Sequence, residues 1–440
     1  MIILLSVILV IFVCIFLLST KFDIASSSIF LLCSFCIVSS SSIYFFGRDG
    51  FHINIITIMI VLICCLLFCL SERLGYILVK RTENSSLGIV PSYKVQIWKG
   101  WFVMLFLVGL VAIYGQVNHL MGAAAMFSKD DGFSDIGQAG RLCAVNPDLC
   151  HDISIPIYLN VTLLITKSAA YFYTMIYMLL LMQSQKYDNS NVKYTFQTMG
   201  MVSIYLVQMV LSTNRTGFIY FFIFVFTCWL VLGIIYNNQN RKKNATIVLK
   251  RAVVWFLLCS TLFYILGLVT GKSQSATFLD VLMGYNGLQI YALNAFLVDE
   301  CAGTCSSLGH ENFIPMQGFL NSIGIYDSYS RPNLPFFSNN EYTTNVYTGI
   351  RRVVSDFSYA GVLVYFSVFG FLYGGIYGLL VKRKLSLYVM FIYAFIMYPI
   401  FMMGWEEKLT NSLFTTANVF VISFSLFLLS RTTSKYKQHI

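Results

Sequence analysis

The sequence predicts an all-α polytopic membrane protein with about eleven transmembrane helices and two large outer loops. Three observations predict this class. Hydrophobic residues make up 58% of the chain and charged residues only 11%, the apolar residues form long continuous runs, and the positive charges fall in alternate connections. A soluble domain carries about 25% charged residues, so this chain cannot cover itself with polar surface. We therefore expect one integral membrane domain over residues 1–440.

Each apolar run is about long enough to cross a hydrocarbon core of roughly 30 Å. Lipid offers no hydrogen-bond partner for the backbone, so only helices or closed barrels can cross, and continuous runs indicate helices. The predicted helices cover residues 2–19, 24–46, 53–70, 98–114, 155–182, 194–211, 216–236, 249–269, 357–380, 385–403 and 412–430. No Lys or Arg and no small-residue cleavage site accompanies the first run, which predicts a retained helix rather than a signal peptide.

The distribution of Lys and Arg predicts the orientation. One set of alternate loops, with the adjoining helix ends, holds 19 Lys or Arg against four Asp or Glu, and the other set holds nine against fifteen. Because cytoplasmic loops carry an excess of Lys and Arg, we expect the first set inside, the N-terminus outside and the C-terminus in the cytoplasm. The net charge of +10 then reflects topology and contact with anionic membrane lipid, and we expect no nucleic-acid partner.

Two connections, 115–152 and 270–356, are much longer than the others and belong to the predicted outer set. Eight of the twelve cysteines lie in predicted helices, and the other four form close pairs in these two loops: Cys143 with Cys150, and Cys301 with Cys305. We expect two local disulfides in an oxidising space, each contributing roughly 2–2.5 kcal/mol by chain entropy. Zinc binding is the alternative, but a second matched cysteine spacing is lacking, so we expect no metal.

Charges inside or next to membrane-spanning helices are costly, about 2.5–3.5 kcal/mol at a helix centre on insertion scales. Arginines at the ends of the predicted helices are therefore the strongest functional candidates. Arg215 lies at an outer tip between two predicted helices, and Arg351 and Arg352 precede the helix 357–380 on the same side. One guanidinium can donate two parallel hydrogen bonds to a phosphate group. The three arginines therefore predict a site for a lipid-linked phosphate or diphosphate. The alternatives are an interfacial anchor for Arg215 and a surface ion pair between Arg352 and Asp356.

The loop 270–356 contains many aromatic rings, amides and carboxylates, a combination that favours sugar binding. An ordinary solvated loop with a few buried rings is the alternative, although loops of this length are uncommon unless they are functional or disordered. No phosphate-binding, dinucleotide, zinc-protease or serine-hydrolase motif occurs in a supporting context. We therefore expect neither nucleotide-driven transport nor a common hydrolase, and we expect no cofactor.

Two segments of the sequence resemble the Wzy-type O-antigen and oligosaccharide repeat-unit polymerases. One is NRTGFIYFF, in which Arg215 opens an apolar helix. The other is TNVYTGIRRVVSDFSYAGVLVYFSVFGFLYGG, in which a Thr-rich run leads through two arginines to Asp-Phe and a Gly-rich helix. The plan is also similar, with a large outer loop before the last few helices. Family members commonly have glycine where this chain has Ser358, and they are often drawn with twelve helices and both ends inside.

The resemblance implies a glycosyltransferase of the bacterial inner membrane. Its donor and acceptor would both be polyprenyl-diphosphate-linked oligosaccharides on the periplasmic side, and a chain-length regulator protein is a further implied partner. Transfer onto a hydroxyl of the next repeat unit needs cations for the diphosphate and a base for the hydroxyl. Candidates for the first role are Arg215, Arg351 and Arg352. Candidates for the second, which the sequence does not rank, are Asp356, Glu311, His310 and Asp280.

Two other functions fit the composition. A lipid-linked oligosaccharide flippase shares the membrane and the substrate, but it needs no outer loop of about 85 residues and favours charges in a central cavity, where only Lys167 is placed. A membrane acyltransferase favours a His and an Arg near a cytoplasmic or lipid-facing helix end, and the predicted cytoplasmic regions contain only His439. The polymerase is the preferred prediction and the flippase is the alternative.

Overall fold

The computed structural model is mainly helical. It describes residues 1–21, 23–48, 51–81, 93–126, 156–184, 192–212, 215–236, 277–300, 309–325, 334–339, 342–382 and 386–435, with six single residues between 136 and 265. The helices within these residues are α1 (Ile2–Ser19), α2 (Ser27–Ser42), α3 (Ile55–Arg81), α4 (Lys99–Met126), α5 (Ile157–Ser184), α6 (Val192–Leu211), α7 (Arg215–Tyr236), α8 (Phe278–Ala295), α9 (Ile314–Ser322), α10 (Gly349–Lys382), α11 (Leu387–Met402) and α12 (Thr416–Thr432). The strands are β1 (Tyr93–Val95), β2 (Phe337–Asn339), β3 (Tyr342–Thr344) and β4 (Thr433–Lys435).

Eight of the described helices are long and apolar enough to cross a membrane: α1 to α5, α7, α8 and α10. Two more, α11 and α12, are apolar but shorter. The prediction of an all-α polytopic membrane protein is therefore confirmed. The helices predicted over 2–19, 155–182 and 216–236 agree with α1, α5 and α7 to within two residues at each end. The helix predicted over 249–269 lies almost wholly outside the described residues.

Several helices extend beyond the apolar runs that predicted them. The prediction over 53–70 ended before Glu72, whereas α3 continues to Arg81. Glu72 is buried, and its carboxylate accepts hydrogen bonds from the backbone N–H groups of Ser27 and Ser28, at 2.8 and 3.0 Å. The first N–H groups of a helix have no partner inside it, and they favour negative charge. Glu72 thus caps the N-terminus of α2. Because these hydrogen bonds satisfy its charge, α3 continues past Glu72.

The chain divides into two compact units, and α12 contributes to both. Unit 1 consists of Met1–Gly88, Gln239–Ala245 and Leu279–Val419, and unit 2 consists of Ile89–Asn238, Thr246–Phe278 and Phe420–Ile440. In unit 1, α3 and α10 pack closely. A Cβ atom at Gly370 would lie 2.5 Å from the carbonyl oxygen of Phe68. A Cβ atom at Gly374 would overlap the carbonyl oxygen of Glu72. Gly374 follows Gly370 by four residues, and Glu72 follows Phe68 by four residues. The two helices therefore run in the same direction, with their backbones in close contact.

In unit 2, α6 follows α4 along most of its length. Near one end, the hydroxyl of Tyr194 donates to the carbonyl oxygen of Val95 at 3.1 Å, just before α4 begins. Near the other end, the side-chain amide of Gln116 donates to the carbonyl oxygen of Gln208 at 3.1 Å. Because α4 is long and apolar enough to cross a membrane, we infer that its parallel neighbour α6 crosses as well.

The segment 270–356, predicted as one long loop, contains α8, α9, the β2–β3 hairpin and the start of α10. α8 is long and apolar enough to span, but its contacts place it across one end of unit 1. Its residue Asp280 accepts a hydrogen bond from Tyr44 (2.9 Å), and its residue Asn294 accepts one from the N–H of Asn54 (2.7 Å). Both partners lie in the connection between α2 and α3. A helix that crossed beside α2 or α3 would meet them at one end only.

Candidate functional site

Several of the sequence-predicted site residues meet where α10 begins. The Gly349 N–H donates to the carbonyl oxygen of Met403 at 2.8 Å, which ties this end of α10 to the end of α11. Inside α10, Ser358 has φ 59° and ψ −174°, so two helical segments join there at a kink. We call the surrounding ionisable groups the charged cluster. It consists of Glu311, Arg351, Arg352, Asp356, Glu406, Glu407 and Lys408.

Arg351 is buried at the centre of the cluster. Its Nη1 forms an ion pair with Glu311 Oε2. The guanidinium also lies over the rings of Phe296 and Tyr347, 4.6 and 5.0 Å from their centroids. Cation–π contacts of this kind are strongest when the cation is desolvated, so the aromatic rings and the carboxylate together fix the guanidinium in place.

Arg352 is also buried and contacts two different segments. Its Nη1 donates to the backbone carbonyl oxygen of Glu311 at 3.2 Å, and its Nη2 lies 3.8 Å from Glu406 Oε1. The Nε atoms of both Arg351 and Arg352 are buried and have no hydrogen-bond partner among the described residues. Buried polar groups are nearly always satisfied, so two buried N–H donors without a described acceptor are an exception at this place in the fold.

Glu311 connects the arginines to α10 through both of its carboxylate oxygens. Oε2 pairs with Arg351, and Oε1 accepts a hydrogen bond from the hydroxyl of Ser355 at 3.0 Å. Ser355 was not among the predicted site residues. Its position one turn after Arg351 places it on the same side of the helix. Glu311 is therefore held by two side chains of α10.

Asp356 is fully buried and holds the turn that carries Glu311. Its carboxylate accepts hydrogen bonds from the N–H of Glu311 at 3.0 Å, from the N–H of Asn312 at 2.7 Å and from the side-chain amide of Asn312 at 2.7 Å. Asp356 was considered as a catalytic base and as an ion-pair partner of Arg352. Its oxygens are instead occupied by the N–H donors of the turn, which indicates a positioning role.

Glu407 is fully buried in the connection after α11. It accepts hydrogen bonds from the N–H groups of Leu409, Thr410 and Asn411, at 2.6, 2.7 and 3.0 Å. The hydroxyl of Tyr365 on α10 donates to it as well, at 2.7 Å. Burial raises the pKa of Glu407, and these hydrogen bonds oppose that shift without cancelling it. The fold therefore favours its protonated form more than water does.

Glu406 is more accessible than Glu311, the other acid of the charged cluster that forms ion pairs among the described residues. Its side chain is 26% exposed, and its Oε2 lies 2.8 Å from Lys408 Nζ. Within the cluster, three cations face four carboxylic acids, and burial raises the pKa of one of these acids, Glu407. The cluster as it stands therefore carries little net charge, and an anion that binds Nη1 of Arg351 competes with the carboxylate of Glu311.

The other two predicted bases lie on different elements. His310 is half-buried in the turn beside Glu311. Asp280 is on α8, where it binds Tyr44. The guanidinium of Arg48 lies 4.5 Å from the ring centroid of Tyr44, so a further arginine of the predicted outer set lies in unit 1. Arg215, Arg351 and Arg352 were selected because they are positive charges on the predicted outer side, against the positive-inside bias. The same criterion would have selected Arg48.

Arg215 begins α7 in unit 2, and its side chain lies outside the described residues. The four predicted disulfide cysteines, Cys143, Cys150, Cys301 and Cys305, also lie outside them. Within the described part of the chain, no group of three or more His, Cys, Asp or Glu residues is arranged to hold a metal ion. No family model, curated protein or solved structure matches this chain.

Proposed function

We propose that this chain is a glycosyltransferase of the bacterial inner membrane that polymerises oligosaccharide repeat units carried on polyprenyl diphosphate. The pair Arg351 and Arg352 carries the proposal. Two buried guanidinium groups lie side by side at one end of unit 1, and their Nε–H donors have no described acceptor. Diphosphate oxygens suit such donors in charge and geometry. The donor and acceptor lipids would reach this end from the outer leaflet.

The backbone at Ser358 supports the resemblance on which the proposal rests. A φ of 59° with ψ of −174° belongs to a region that is essentially restricted to glycine, and glycine commonly follows Asp-Phe in the polymerases that the sequence resembles. The same kink follows directly after Asp356 and Phe357 here. A serine held in a glycine conformation suggests that the kink, rather than the residue type, is what the site requires.

The proposed reaction moves the growing glycan from one lipid carrier to the next repeat unit. An acceptor hydroxyl oxygen attacks the anomeric carbon, a new glycosidic bond forms, and the bond from that carbon to the diphosphate oxygen breaks. The electron pair leaves with polyprenyl diphosphate. Arg351 and Arg352 would stabilise the charge that develops on this leaving group, and the loss of one such donor typically costs about 10²–10³ in kcat.

The acceptor proton goes to Glu311 in this proposal. Diphosphate oxygens compete with Glu311 for Arg351, so substrate binding would release the carboxylate from its ion pair. The freed carboxylate oxygen would then accept the proton of the acceptor hydroxyl as a general base. Asp356 would position the turn, and Glu406 would remain paired with Lys408.

Deletion of the gene in its own host separates the two candidate functions. A polymerase acts after a repeat unit has crossed the membrane, so its loss should leave single repeat units on the surface glycan. A flippase acts earlier, so its loss should remove repeat units from the surface entirely. We expect a gel of the surface glycan from the deletion strain to show the one-repeat product. If that product is also absent, the flippase is correct and the polymerase proposal fails.

Complementation with arginine variants tests the site. We expect Arg351→Ala, Arg352→Ala and Arg215→Ala to give mostly the one-repeat product at normal protein level, because each loses a charge-assisted contact with the diphosphate. Lysine at each position should restore polymerisation only partly, since an ammonium lacks the planar fork. Arg48→Ala is the matched control and should polymerise normally. Normal polymerisation by all three alanine variants would refute the site while leaving the function intact.

A further inference from the structure

α9 has an apolar exposed face. Met316 and Phe319 in α9 and Ile323, the residue directly after α9, are each 52–53% exposed. Their spacing of three and four residues places them on one face of the helix. Ile314 and Gln317, which lie on the opposite side, are buried against unit 1. The exposed face of α9 is therefore apolar, whereas a water-facing helix exposes a polar face.

The composition of α9 also disfavours a water-facing position. Its sequence, IPMQGFLNS, contains no Lys, Arg, Asp or Glu. A surface helix in water normally carries charged residues on its outer face. An apolar surface exposed to water costs about 25 cal/mol per Å², and this protein is embedded in a bilayer that removes that cost. Lipid is thus the solvent that suits the outer face of α9.

α9 also lies close to the lipid-facing side of α10. The ring of Phe313, which directly precedes α9, packs edge-on against Phe357 at 5.9 Å between centroids. Phe357 is followed by the part of α10 that is long enough to span, where Leu363 and Val364 are exposed. The first turn of α9 therefore begins beside the point where α10 enters the membrane.

We propose that α9 is an interfacial helix whose face of Met316, Phe319 and Ile323 contacts the acyl chains of the bilayer. Helices with one apolar and one polar face commonly lie in the plane of the membrane surface in this way. The proposal concerns membrane lipid and does not depend on the proposed glycosyltransferase activity. It changes the expectation for the segment 270–356, because part of this predicted outer loop would lie in lipid rather than in water.

The contact would also bring lipid close to the charged cluster. The side-chain amide of Gln317 on α9 donates to the carbonyl oxygen of Gly309 at 2.9 Å. Gly309 opens the turn that carries Glu311, and Asp356 holds the same turn from the other side. The lipid-facing helix and the arginine pair are therefore joined through a single short turn.

Photo-crosslinking tests the lipid contact directly. Benzoylphenylalanine is introduced singly at Met316, Phe319 or Ile323, and the purified protein is reconstituted in phosphatidylethanolamine and phosphatidylglycerol vesicles. After irradiation, mass spectrometry measures lipid adducts on the peptide. We expect at least fivefold more adduct at these positions than at two exposed control positions, Asn321 on α9 and Ser338 on β2. Equal adduct yields at all five positions would overturn the proposal.

A second measurement tests whether the apolar face is what holds α9 in lipid. Met316→Glu combined with Ile323→Glu should lower the adduct yield at Phe319 at least fivefold, because two charges oppose burial in acyl chains. Asn321→Glu is the matched control on the same helix and should leave that yield unchanged. Both variants alter exposed side chains, and gel filtration verifies that they remain folded. An unchanged yield in the double variant would overturn the proposal.

Discussion

Asp356→Ala should destabilise unit 1 strongly, because the carboxylate is the described acceptor for the turn at residues 311 and 312. The substitution removes the acceptor of three N–H donors. The side-chain amide of Asn312 also donates to the carbonyl oxygen of Arg352 at 2.8 Å and keeps that bond. The N–H groups of Glu311 and Asn312 lose their acceptor. A buried unsatisfied donor costs about 1–3 kcal/mol, so we expect a loss of about 2–6 kcal/mol.

The unfolding temperature in detergent measures this loss. Cys64 and Cys65 on α3 are buried, so a maleimide dye that fluoresces on reaction reports when unit 1 opens. For a unit of this size the expected loss corresponds to roughly 5–20 °C. Asp356→Asn retains one acceptor oxygen and should fall between the wild type and the alanine variant. Asp280→Ala, which removes a half-buried carboxylate bound to one tyrosine hydroxyl, should shift the temperature by only a few degrees.

One result would refute the positioning role of Asp356. If Asp356→Ala unfolds within 2 °C of the wild type but no longer polymerises, its carboxylate acts directly on the substrate. The argument from its hydrogen bonds would then be wrong. If both stability and polymerisation fall, Asp356→Asn distinguishes the roles. A positioning residue should recover both properties in part, whereas a base that has lost its carboxylate should recover stability alone.

Three further predictions follow from particular residues. Burial raises the pKa of Glu407, so the stability that this group contributes is complete below its unfolded-state pKa of about 4.3 and is lost as pH rises through the folded-state pKa. The unfolding temperature of Glu407→Gln, measured by tryptophan fluorescence, should therefore rise relative to that of the wild type between pH 5 and pH 8. A constant difference between the two proteins over this range would contradict the prediction. Ser358→Gly should raise stability by about 1 kcal/mol because it relieves a positive φ, whereas Ser358→Val should lower it, in thermal unfolding with the same dye. Single cysteine probes should react from outside the cell at Asp327 and only after permeabilisation at Asn244, and outside labelling at Asn244 would reverse the predicted orientation.

α5 was predicted although its run contains Lys167, but the simplest helices to predict are those whose apolar runs contain no charge. α1 and α7 are of this kind, and their bounds follow from hydrophobicity alone. The prediction for α3 stopped short because Glu72 is charged, and its serine partners lie 44 to 46 residues away. α8 was missed because its apolar residues are interrupted by Asp280 and by two asparagines. For α3, hydrogen bonds between distant residues explain why the helix continues past a charged residue.

The candidate site could be predicted only in part for the same reason. Arg351 and Arg352 are adjacent, and their position against the positive-inside bias was visible in the sequence. The partner Glu311 lies about 40 residues earlier in a segment of low hydrophobicity. Sequence spacing offered Asp356 as a partner of Arg352, because residues four apart are neighbours on a helix. The structure uses Asp356 to hold the turn of Glu311, which no local pattern predicts.

The parallel packing of α3 and α10 constrains the topology of the whole chain. Two helices that cross a bilayer in the same direction must be separated by an odd number of crossings. Among the described helices between them, α4, α5, α6 and α7 would supply four crossings, and α8 lies across the end of unit 1, so an odd number requires a further crossing outside the described residues. The run 249–269, which lies almost wholly outside the described residues, is the crossing that the sequence predicts there. The start of α10 lies at the end of unit 1 opposite the Lys- and Arg-rich end of α3, so the positive-inside bias predicts an outer position for the arginine pair, where the proposed lipid-linked donor would meet it.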